Sequence, residues 1–480
     1  MRKTTVLFGI FCICLASAAW SASVSVPGDS PTVQGALTLA GVGGTVTITD
    51  SAVYTEDVFI IPGLHDGVTI QAAPGQTPTI RAANTTQRWT HLPFPPGAND
   101  YMGLIASTDC TLIGLRIENI DPTLNLLGVA GVMVIQAVDA PPSPPVPRVT
   151  LQNCQIVGPG VDPGDFAGCP ILSWSYTNYP EAVFEDCEFS ETSFGLVPIN
   201  FAPALGAPSM MDPVTTATNC WLHDHFGDAI DHIAGVGTYV NCLISSNSET
   251  GINVEGDVAY FIGCDIVDNG AEGVQLDYDD SFQDPPPAPL AIPAVSMTDC
   301  LIARNKGGGE ESNIRINHGT LAIARSIISE PENTMAIFMN DNFESGFLTP
   351  CNLVMDFCDV HGGLQNCFGF GTDVKELDIY TTVTNSILVG ADGLVNPDSS
   401  YISAYLGNCA VWASGIATSA TTVNVITTDE PIYMLPYSAT RDGFRYYNDD
   451  FNIGTGGQYI GSQGYFEPGE LRARNWSLYN

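Results

Sequence analysis

The sequence contains few basic residues. Only 15 of its 480 residues are Lys or Arg, against 52 Asp and Glu, and the formal net charge is −37. Surfaces that bind nucleic acids or anionic membranes depend on clusters of Lys and Arg. The composition therefore excludes a nucleic-acid-binding protein. A chain this acidic would also repel a polyuronate unless a divalent cation bridged the two.

Long apolar runs are missing as well. After the first 22 residues, no segment offers the roughly 18 uninterrupted apolar residues that a membrane-spanning helix needs. The first residues resemble a secretory signal: Arg2 and Lys3 give a positive start, Val6 to Leu15 an apolar stretch, and Ala16 to Ala18 a small-residue cleavage site. We therefore expect residues 1–22 to be a signal peptide and the protein to be secreted, extracellular or at the cell surface, without membrane insertion.

Helical periodicity is almost absent. The exception is Pro31 to Ala40, where Val33, Ala36, Leu37 and Ala40 would share one helical face. Charged residues are only 14% of the chain, and aromatic and β-branched residues are plentiful, so a packed globular protein is expected. The pattern predicts an all-β fold with one short N-terminal helix that caps the end of the structure.

A recurring motif, Asn/Asp/Gly-Cys-x-apolar, dominates the sequence. It occurs at Cys154, Cys187, Cys220, Cys242, Cys264 and Cys300. Successive cysteines are 33, 33, 22, 22 and 36 residues apart. A period of 22 with longer exceptions indicates one repeated structural turn with loops inserted at permitted places.

The positions around each cysteine indicate the geometry of that turn. Apolar residues lie three positions before the cysteine and two positions after it, so the chain must bend between them. The bend carries Asn, Asp or Gly, which tolerate a left-handed backbone. Asn247, Asn269 and Asn305 recur five residues after the cysteine and predict a second corner with a stacked amide column. Short strands and sharp corners predict a right-handed, single-stranded parallel β-helix of roughly twelve to fourteen turns, on the order of 60 Å long.

The cysteines of the motif are expected to form a column of small buried side chains rather than disulfides. Four others lie closer together or off the register, so any disulfide is expected among them: Cys351, Cys358, Cys367 and Cys409.

The chain resembles the right-handed parallel β-helix proteins of the pectate-lyase-like superfamily. The opening stretches at 27–34, 43–48 and 53–58, the Asn-Cys turns, and the endings at 442–445 and 459–462 are similar to those proteins. The resemblance covers nearly the whole mature chain and implies a β-helix domain over residues 23–466, followed by a tail over residues 467–480. It specifies the fold, whereas one scaffold hosts many functions.

Three long insertions are expected to form walls along one edge of the coil. They span residues 137–148, 200–214 and 278–294, and their Pro content favours stiff, extended segments. The connections at 232–238 and 254–260 are short by comparison. We therefore expect a notch over the turns of Cys220, Cys242 and Cys264.

Strand alternation predicts which side chains face that notch. One outward row would be Asp231, Asn253, Gln275 and Arg315, and a second row would be Glu255, Asp277 and Asn317. Neighbouring parallel strands place such residues about 5 Å apart, which suits paired carboxylates in acid–base catalysis or in Ca²⁺ binding. The sequence therefore proposes the following roles: catalytic residues Asp231, Glu255, Asp277 and Arg315; substrate-binding residues Asn253, Gln275, Asn317 and Lys306; and Ca²⁺ ligands Asp277, Asp279 and Asp280. The alternative is a solvated acidic face without a function.

Motifs of the related enzymes are only partly present. Asp279-Asp280 matches one polygalacturonase element and Arg315-Ile316-Asn317 partly matches another, while the Asn-Thr-Asp and Gly-His-Gly elements are missing. The resemblance to pectate-type lyases implies an Arg or Lys base beside Ca²⁺-binding carboxylates; Arg315, Arg304 and Lys306 are the basic residues near the notch. Signatures of pectin methylesterases are absent.

The densest group of metal-binding or proton-transfer residue types lies just before the notch. It comprises His223, Asp224, His225, Asp228, Asp231 and His232. His223 and His225 have the spacing of one strand face, which could hold a transition metal. However, His225 occupies the corner position where other turns carry Asn, and His232 has an inward phase, so a structural role is favoured.

Two functions remain open at this point. The first is an exported protein, expected to be monomeric, that binds or cleaves an extracellular polysaccharide as a lyase or glycoside hydrolase. The second is a non-catalytic surface or adhesion rod. Wall loops around one notch favour the first, and the missing family motifs favour the second.

Overall fold

The computed structural model describes seventeen segments of the chain. They are residues 22–83, 101–120, 130–136, 147–160, 171–174, 181–198, 213–277, 292–307, 312–329, 335–340, 350–361, 366–371, 379–389, 402–407, 409–412, 420–423 and 425–427. Three predicted features lie wholly or almost wholly outside these residues. They are the signal peptide at 1–22, the three wall loops at 137–148, 200–214 and 278–294, and the tail at 467–480. Those three predictions stay untested. No helix within the described segments has the length and apolarity to cross a membrane.

The described segments form a right-handed parallel β-helix, which confirms the predicted fold. All strand pairs are parallel, and each strand pairs with its equivalents one full turn of the coil, or lap, before and after it. Sheet A has fifteen strands in the described residues, one to three laps more than predicted: β1 Ser23–Val26, β2 Thr45–Ile48, β5 Val68–Ala72, β8 Cys110–Ile113, β11 Arg148–Gln152, β14 Glu181–Glu185, β17 Val214–Thr218, β20 Val236–Val240, β23 Val258–Ile262, β26 Ala294–Thr298, β29 Gly319–Ala324, β32 Cys351–Asp356, β35 Ile379–Thr384, β37 Ile402–Gly407 and β39 Thr421–Val423.

Two further sheets complete each lap. Sheet B follows the cysteine corner and has fourteen strands in the described residues: β3 Val53–Thr55, β6 Thr79–Arg81, β9 Arg116–Glu118, β12 Gln155–Val157, β15 Glu188–Ser190, β18 Trp221–His223, β21 Leu243–Ser245, β24 Asp265–Val267, β27 Leu301–Ala303, β30 Ile327–Ser329, β33 Asp359–His361, β36 Ile387–Val389, β38 Ala410–Trp412 and β40 Ile426–Thr427. Sheet C has eleven in the same segments: β4 Val58–Ile60, β7 Tyr101–Ala106, β10 Ala130–Gln136, β13 Ile171–Trp174, β16 Leu196–Pro198, β19 Ile230–His232, β22 Ile252–Val254, β25 Val274–Leu276, β28 Ser312–Ile316, β31 Met335–Asn340 and β34 Asn366–Gly371.

The corner between sheets A and B has the left-handed backbone that the Asn/Asp/Gly position predicts. In ten laps its φ lies between 48° and 67°, at Gly114, Asn153, Asp186, Asn219, Asn241, Gly263, Asp299, Arg325, Phe357 and Asn385. Arg325 and Phe357 show that the geometry persists in laps where the residue type does not favour it. The packing of neighbouring laps therefore imposes this corner on the local sequence.

The position after that corner forms a buried column inside the coil. Strand registers align Leu115, Cys154, Cys187, Cys220, Cys242, Cys264, Cys300, Ser326, Cys358, Ser386 and Cys409. Each thiol of the column donates to the carbonyl two residues before it, as Cys264 Sγ does to Ile262 O at 3.7 Å. The predicted cysteine column is confirmed.

The four later cysteines, singled out as the place for any disulfide, form none. Cys351, Cys358, Cys367 and Cys409 are all free and buried. Cys358 and Cys409 belong to the column, because insertions of unequal length change the sequence spacing without changing the position in the lap. Cys351 Sγ instead donates to the carbonyl of Asn317 at 3.0 Å.

Burial makes these thiols unreactive, which gives a first prediction. It raises the pKa of Cys358 to about 12 and that of Cys409 to about 11, so the nucleophilic thiolate is scarce at neutral pH. We expect the eleven described cysteines to resist a maleimide reagent in the native protein and to react fully in urea without a reductant. Mass spectrometry of peptides from both samples measures the labelling. A cysteine that reacts in urea only after reduction would reveal a disulfide.

The second corner, between sheets B and C, carries the predicted amide column. Asn247 Nδ2 donates to Asn269 Oδ1 at 2.8 Å, and Asn269 Nδ2 donates to Asn305 Oδ1 at 2.7 Å. Asn305 Nδ2 continues the ladder to the Oδ1 of Asn313 at 2.5 Å. The ladder satisfies buried backbone and side-chain groups at the corners that precede β22, β25 and β28.

Helix α1, Val33–Ala40, lies where the apolar spacing predicts a helix. Val33, Ala36, Leu37 and Ala40 are buried, and the helix packs against β1, β2 and β4. The Thr32 hydroxyl accepts a hydrogen bond from the Gly35 amide, which caps the helix N-terminus. Its role as a cover for the end of the coil stays a prediction.

Candidate functional site

Sheet C brings the two predicted polar rows together. Asp231 in β19 pairs with Asn253 in β22, Asn253 pairs with Gln275 in β25, and Gln275 pairs with Arg315 in β28. Each row member follows an inward apolar residue of its strand, such as the buried Ile252. Strand alternation therefore directs all four side chains away from the core, as predicted.

The second row lies one step further along the same strands. The amide of Glu255 donates to His232 O at 3.0 Å, that of Asp277 to Val254 O at 3.2 Å, and that of Asn317 to Leu276 O at 2.8 Å. These bonds continue the strand register for one more residue. Glu255, Asp277 and Asn317 therefore stack in three successive laps.

Side-chain hydrogen bonds join the two rows. Within single laps, Asn253 Nδ2 donates to Glu255 Oε1 at 3.1 Å, and Gln275 Nε2 donates to Asp277 Oδ2 at 2.9 Å. Between laps, Asn317 Nδ2 donates to Asp277 Oδ2 at 2.9 Å. The two rows together form the polar surface of sheet C, in which amides hold the carboxylates of Glu255 and Asp277 in place.

This surface is more enclosed than the sequence predicts. Asp231 is only 4% exposed, Glu255 5% and Asn317 fully buried, while Asn253, Gln275 and Asp277 are half-buried. The interpretation as a solvated acidic face does not fit the buried Asp231, Glu255 and Asn317, and for the half-buried residues it stays open. Burying charged groups is costly unless they are paired or serve a function.

Arg315 joins this surface through groups on both sides. Its Nε donates to Asn317 Oδ1 at 3.1 Å, and its Nη1 lies 3.9 Å from Oε1 of Glu272. Glu272 is 2% exposed, and no hydrogen bond to this oxygen is formed within the described residues. Sequence reasoning missed Glu272, because it precedes the strand and belongs to neither outward row. A buried carboxylate next to a guanidinium holds the Arg side chain over the row.

Asp228 is a second residue that the sequence assigned only a structural role. It is 8% exposed, and its Oδ1 accepts the Thr250 amide at 2.9 Å. Burial raises the pKa of Asp228 well above its usual range, and the negative charges of Asp231 and Glu249 raise it further. The raised pKa favours the protonated form of this carboxyl, which lies near the row residue Asp231.

The other predicted basic residues lie away from the rows. The exposed Lys306 lies at the corner between sheets B and C, where its amide donates to Asn269 O at 2.9 Å. Arg304 lies at the same corner and forms a bidentate ion pair with Asp268, with distances of 2.7 and 2.6 Å. Neither residue belongs to sheet C, so Arg315 is the basic side chain that the described strands of this sheet place on the polar rows.

The predicted Ca²⁺ site rests partly on residues outside the description. Asp279 and Asp280 lie there, and Asp277 alone is described. Within the described segments, no group of three or more His, Cys, Asp or Glu residues is placed to hold a metal ion. Asp277 Oδ2 instead accepts two amide hydrogen bonds. The Ca²⁺ site stays a prediction.

The histidine group is divided among three environments, as the structural interpretation predicted. His225 lies in the corner column, where its Nδ1 is 2.7 Å from Thr192 Oγ1, and burial lowers its pKa to about 3. His232 points inward, and burial lowers its pKa to about 4. His223 lies on the outer face of sheet B, stacked on Trp221 with ring centroids 3.7 Å apart.

His223 forms a small charged cluster that gives a second prediction. Its Nε2 lies 3.3 Å from Glu188 Oε1, and its Nδ1 lies 2.6 Å from Asp224 Oδ2. Burial lowers the pKa of His223, but the bonds to Glu188 and Asp224 outweigh burial and raise it above 6.5. The bond to His223 likewise lowers the pKa of Glu188 below 4.5.

The cluster should therefore stabilise the fold within a pH window. The contribution of His223 is complete below pH 6.5 and is lost as pH rises through its raised folded pKa; that of Glu188 is complete above pH 4.5 and is lost as pH falls through its lowered folded pKa. We expect His223→Gln to lower the melting temperature most between pH 4.5 and 6.5 and least in alkaline buffer. Thermal melts across pH measure this difference; a constant difference would contradict it.

Comparisons with known proteins concern the fold. No family model and no curated protein matches this chain. Among solved structures, the catalytic unit of a GH87 α-1,3-glucanase from Streptomyces thermodiastaticus is 14% identical, with a TM-score of 0.47 over 85% of this chain and 68% of that chain. The A-module of a mannuronan C-5 epimerase from Azotobacter vinelandii is 13% identical, with a TM-score of 0.43 over 83% and 94%. Pectin methylesterase from Erwinia chrysanthemi is 11% identical, with a TM-score of 0.25 over 84% and 92%. This chain is similar to these proteins as a right-handed parallel β-helix.

Proposed function

We propose that the polar surface of sheet C binds a neutral extracellular polysaccharide and hydrolyses its glycosidic bonds. The observation that carries this proposal is the in-register stacking of enclosed carboxylates and amides on successive laps. Successive laps repeat about every 4.8 Å, so the surface offers a regular series of donors and acceptors along the coil. A sugar chain with repeated hydroxyl groups matches such a series.

The charge of the surface favours a neutral substrate. Its described members include four carboxylates, at Asp231, Glu255, Glu272 and Asp277, and one guanidinium, at Arg315, besides the Asp228 carboxyl, whose raised pKa favours the neutral form. An anionic sugar would be repelled by this excess of negative charge unless cations neutralised it. A neutral sugar would instead accept and donate hydrogen bonds at the amides of Asn253 and Gln275.

Asp228 and Asp231 are suited to divide acid and base roles. Glycoside hydrolysis uses one protonated and one ionised carboxyl. Burial and the neighbouring charges of Asp231 and Glu249 raise the pKa of Asp228, which favours its protonated form. In the proposed reaction, Asp228 gives this proton to the leaving glycosidic oxygen. Asp231 either takes a proton from the attacking water or attacks the anomeric carbon itself.

Arg315 is better suited to hold the substrate than to remove a proton. A lyase would need it as a base, but a guanidinium stays protonated in proteins. Glu272 Oε1, 3.9 Å away, and the bond to Asn317 also hold the guanidinium over the row. We therefore favour hydrolysis over β-elimination, with Arg315 donating hydrogen bonds to sugar oxygens.

The proposal is tested with the purified mature protein and a panel of neutral and uronate polysaccharides. Reducing ends measure hydrolysis, ultraviolet absorbance of unsaturated products measures elimination, and EDTA with added Ca²⁺ tests the predicted metal site. We expect reducing ends from a neutral glycan without unsaturated products. Unsaturated products would overturn hydrolysis. No product on any glycan would overturn the enzyme and leave the adhesion rod.

A further inference from the structure

The outer face of sheet A carries a column of residues without a single charge. One column of Cα partners runs through all fifteen described strands, and eight of its members are threonine. In chain order, this threonine strip is Ser23, Thr45, Thr69, Thr111, Thr150, Val183, Thr216, Thr238, Tyr260, Ser296, Ala322, Val354, Thr382, Tyr405 and Thr421. In a protein with a net charge of −37, an uncharged line along the whole described coil is unexpected.

The flanking outward positions are also poor in charge. From β17 to β26, the positions on either side of the strip are Val or Ala on one side and Thr, Val or Ile on the other. From β14 onward, the described flanking positions contain three acids. These are Glu181 and Glu185 in β14 and Asp356 in β32. The middle of this face is therefore a flat, neutral area several laps long.

Large apolar side chains on this face are open to solvent. Tyr260, Ile262 and Tyr380 are each 43% exposed, Val354 is 45% exposed, and Tyr405 is 36% exposed. The outer face of sheet B differs, since its apolar residues Leu243, Val267, Leu301, Ala303 and Ile327 form a buried cluster. Exposed aromatic groups in a neutral area are typical of binding surfaces.

We propose that the threonine strip and its exposed tyrosines form a docking surface for the flat face of an insoluble neutral polysaccharide. This inference goes beyond the sheet C site and does not require that site to be catalytic. Tyr260 and Tyr405 are five laps apart, about 24 Å along the coil, and Tyr380 lies one lap from Tyr405. Several sugar rings of one chain could therefore contact the strip together.

Charge selects this occupant over others. Nucleic acids and anionic membranes need Lys or Arg, which the strip lacks. A second copy of this chain would bring another net charge of −37 against the first, which opposes association. A neutral polysaccharide carries no such penalty. Its rings present apolar C–H faces to tyrosine and hydroxyl groups to threonine, and both kinds of contact are available on the strip.

The test uses the full mature protein and three insoluble neutral glycans: microcrystalline cellulose, chitin and an insoluble α-glucan. Depletion of protein from the supernatant measures binding, and a calcium polyuronate gel serves as the charged comparison. We expect binding to at least one neutral glycan and none to the gel. The triple variant Tyr260→Ala/Tyr380→Ala/Tyr405→Ala should bind about tenfold more weakly or worse, since each ring supplies stacking area.

Two further variants separate this surface from other effects. Thr238→Asp places a charge in the strip and should weaken binding, whereas Leu64→Ala removes a side chain that is 58% exposed off the strip and should not. Melting curves confirm that the variants fold. Equal binding by the triple variant, binding to none of the three glycans, or variant-sensitive self-association in sedimentation would each overturn the proposal.

Discussion

Alanine in place of Asn269 should lower the free energy of unfolding by about 3 kcal/mol, because it breaks the amide ladder in its middle. Asn269 is fully buried. It accepts from Asn247 Nδ2 at 2.8 Å and donates to Asn305 Oδ1 at 2.7 Å. Its removal leaves the Asn247 amide and the Asn305 oxygen without this partner, away from water. Unsatisfied buried polar groups cost more than a lost hydrogen bond at the surface.

Urea unfolding followed by circular dichroism measures this loss, and hydrogen exchange at β21, β24 and β27 shows whether it is local. Asn352→Ala is the matched control. Asn352 is half-buried on sheet A, and its side-chain bonds are long, at 3.4 Å to Thr320 Oγ1 and 3.5 Å to Pro350 O. We expect this control to cost less than about 1 kcal/mol. Equal effects of the two substitutions would show that the ladder adds nothing beyond an ordinary amide.

Asp231→Asn and Asp228→Asn should each lower the turnover of the proposed hydrolysis by about 10²- to 10⁴-fold, the usual contribution of a general acid or base. The substrate affinity should change far less. Burial and the charges of Asp231 and Glu249 raise the pKa of Asp228. The proposed hydrolysis by the natural protein should therefore persist until pH rises through this raised pKa, and the rate should fall above it as the acid loses its proton. Asp228→Asn should remove that alkaline limb from the residual activity.

The measurement is the rate of reducing-end formation across pH, with the best neutral glycan from the panel. Glu181→Gln is the control, because Glu181 is a half-buried acid on sheet A whose nearest ion pair, to Arg148, is 3.6 Å long. It should retain the full rate. If Asp228→Asn kept the natural rate and the natural pH profile, Asp228 would not be the acid.

Much of the fold could be predicted from local pattern. The Asn/Asp/Gly-Cys motif marks the left-handed corner, and the apolar residues on either side mark the inward positions. The same pattern gave the two polar rows. Asp231, Asn253 and Gln275 are each 22 residues apart, so equal laps place them side by side. Arg315 joins the row although it lies 15 residues after its cysteine, against 11 for the other three, because it lies between the inward Ile314 and Ile316 of its strand.

The rest of the candidate site depends on contacts between laps. The proximity of Arg315 and Glu272 crosses from one lap to the next, and Glu272 lies outside the alternating pattern. The proton held by Asp228 depends on its burial and on neighbouring charges. Cys409 also looked out of register, although it occupies the column position. Local patterns carry no information on what lies against a residue from another lap.

The sequence by itself determined the repeating corners, the inward cysteine and asparagine columns, and the order of the outward rows, because these follow from short-range backbone geometry and strand alternation. The tertiary structure decided which outward residues are enclosed. It buries Asp231 and Glu255 on sheet C and leaves Tyr260 exposed on sheet A. Burial depends on how distant parts of the chain pack, and burial sets the charge state and the accessibility through which these side chains can act.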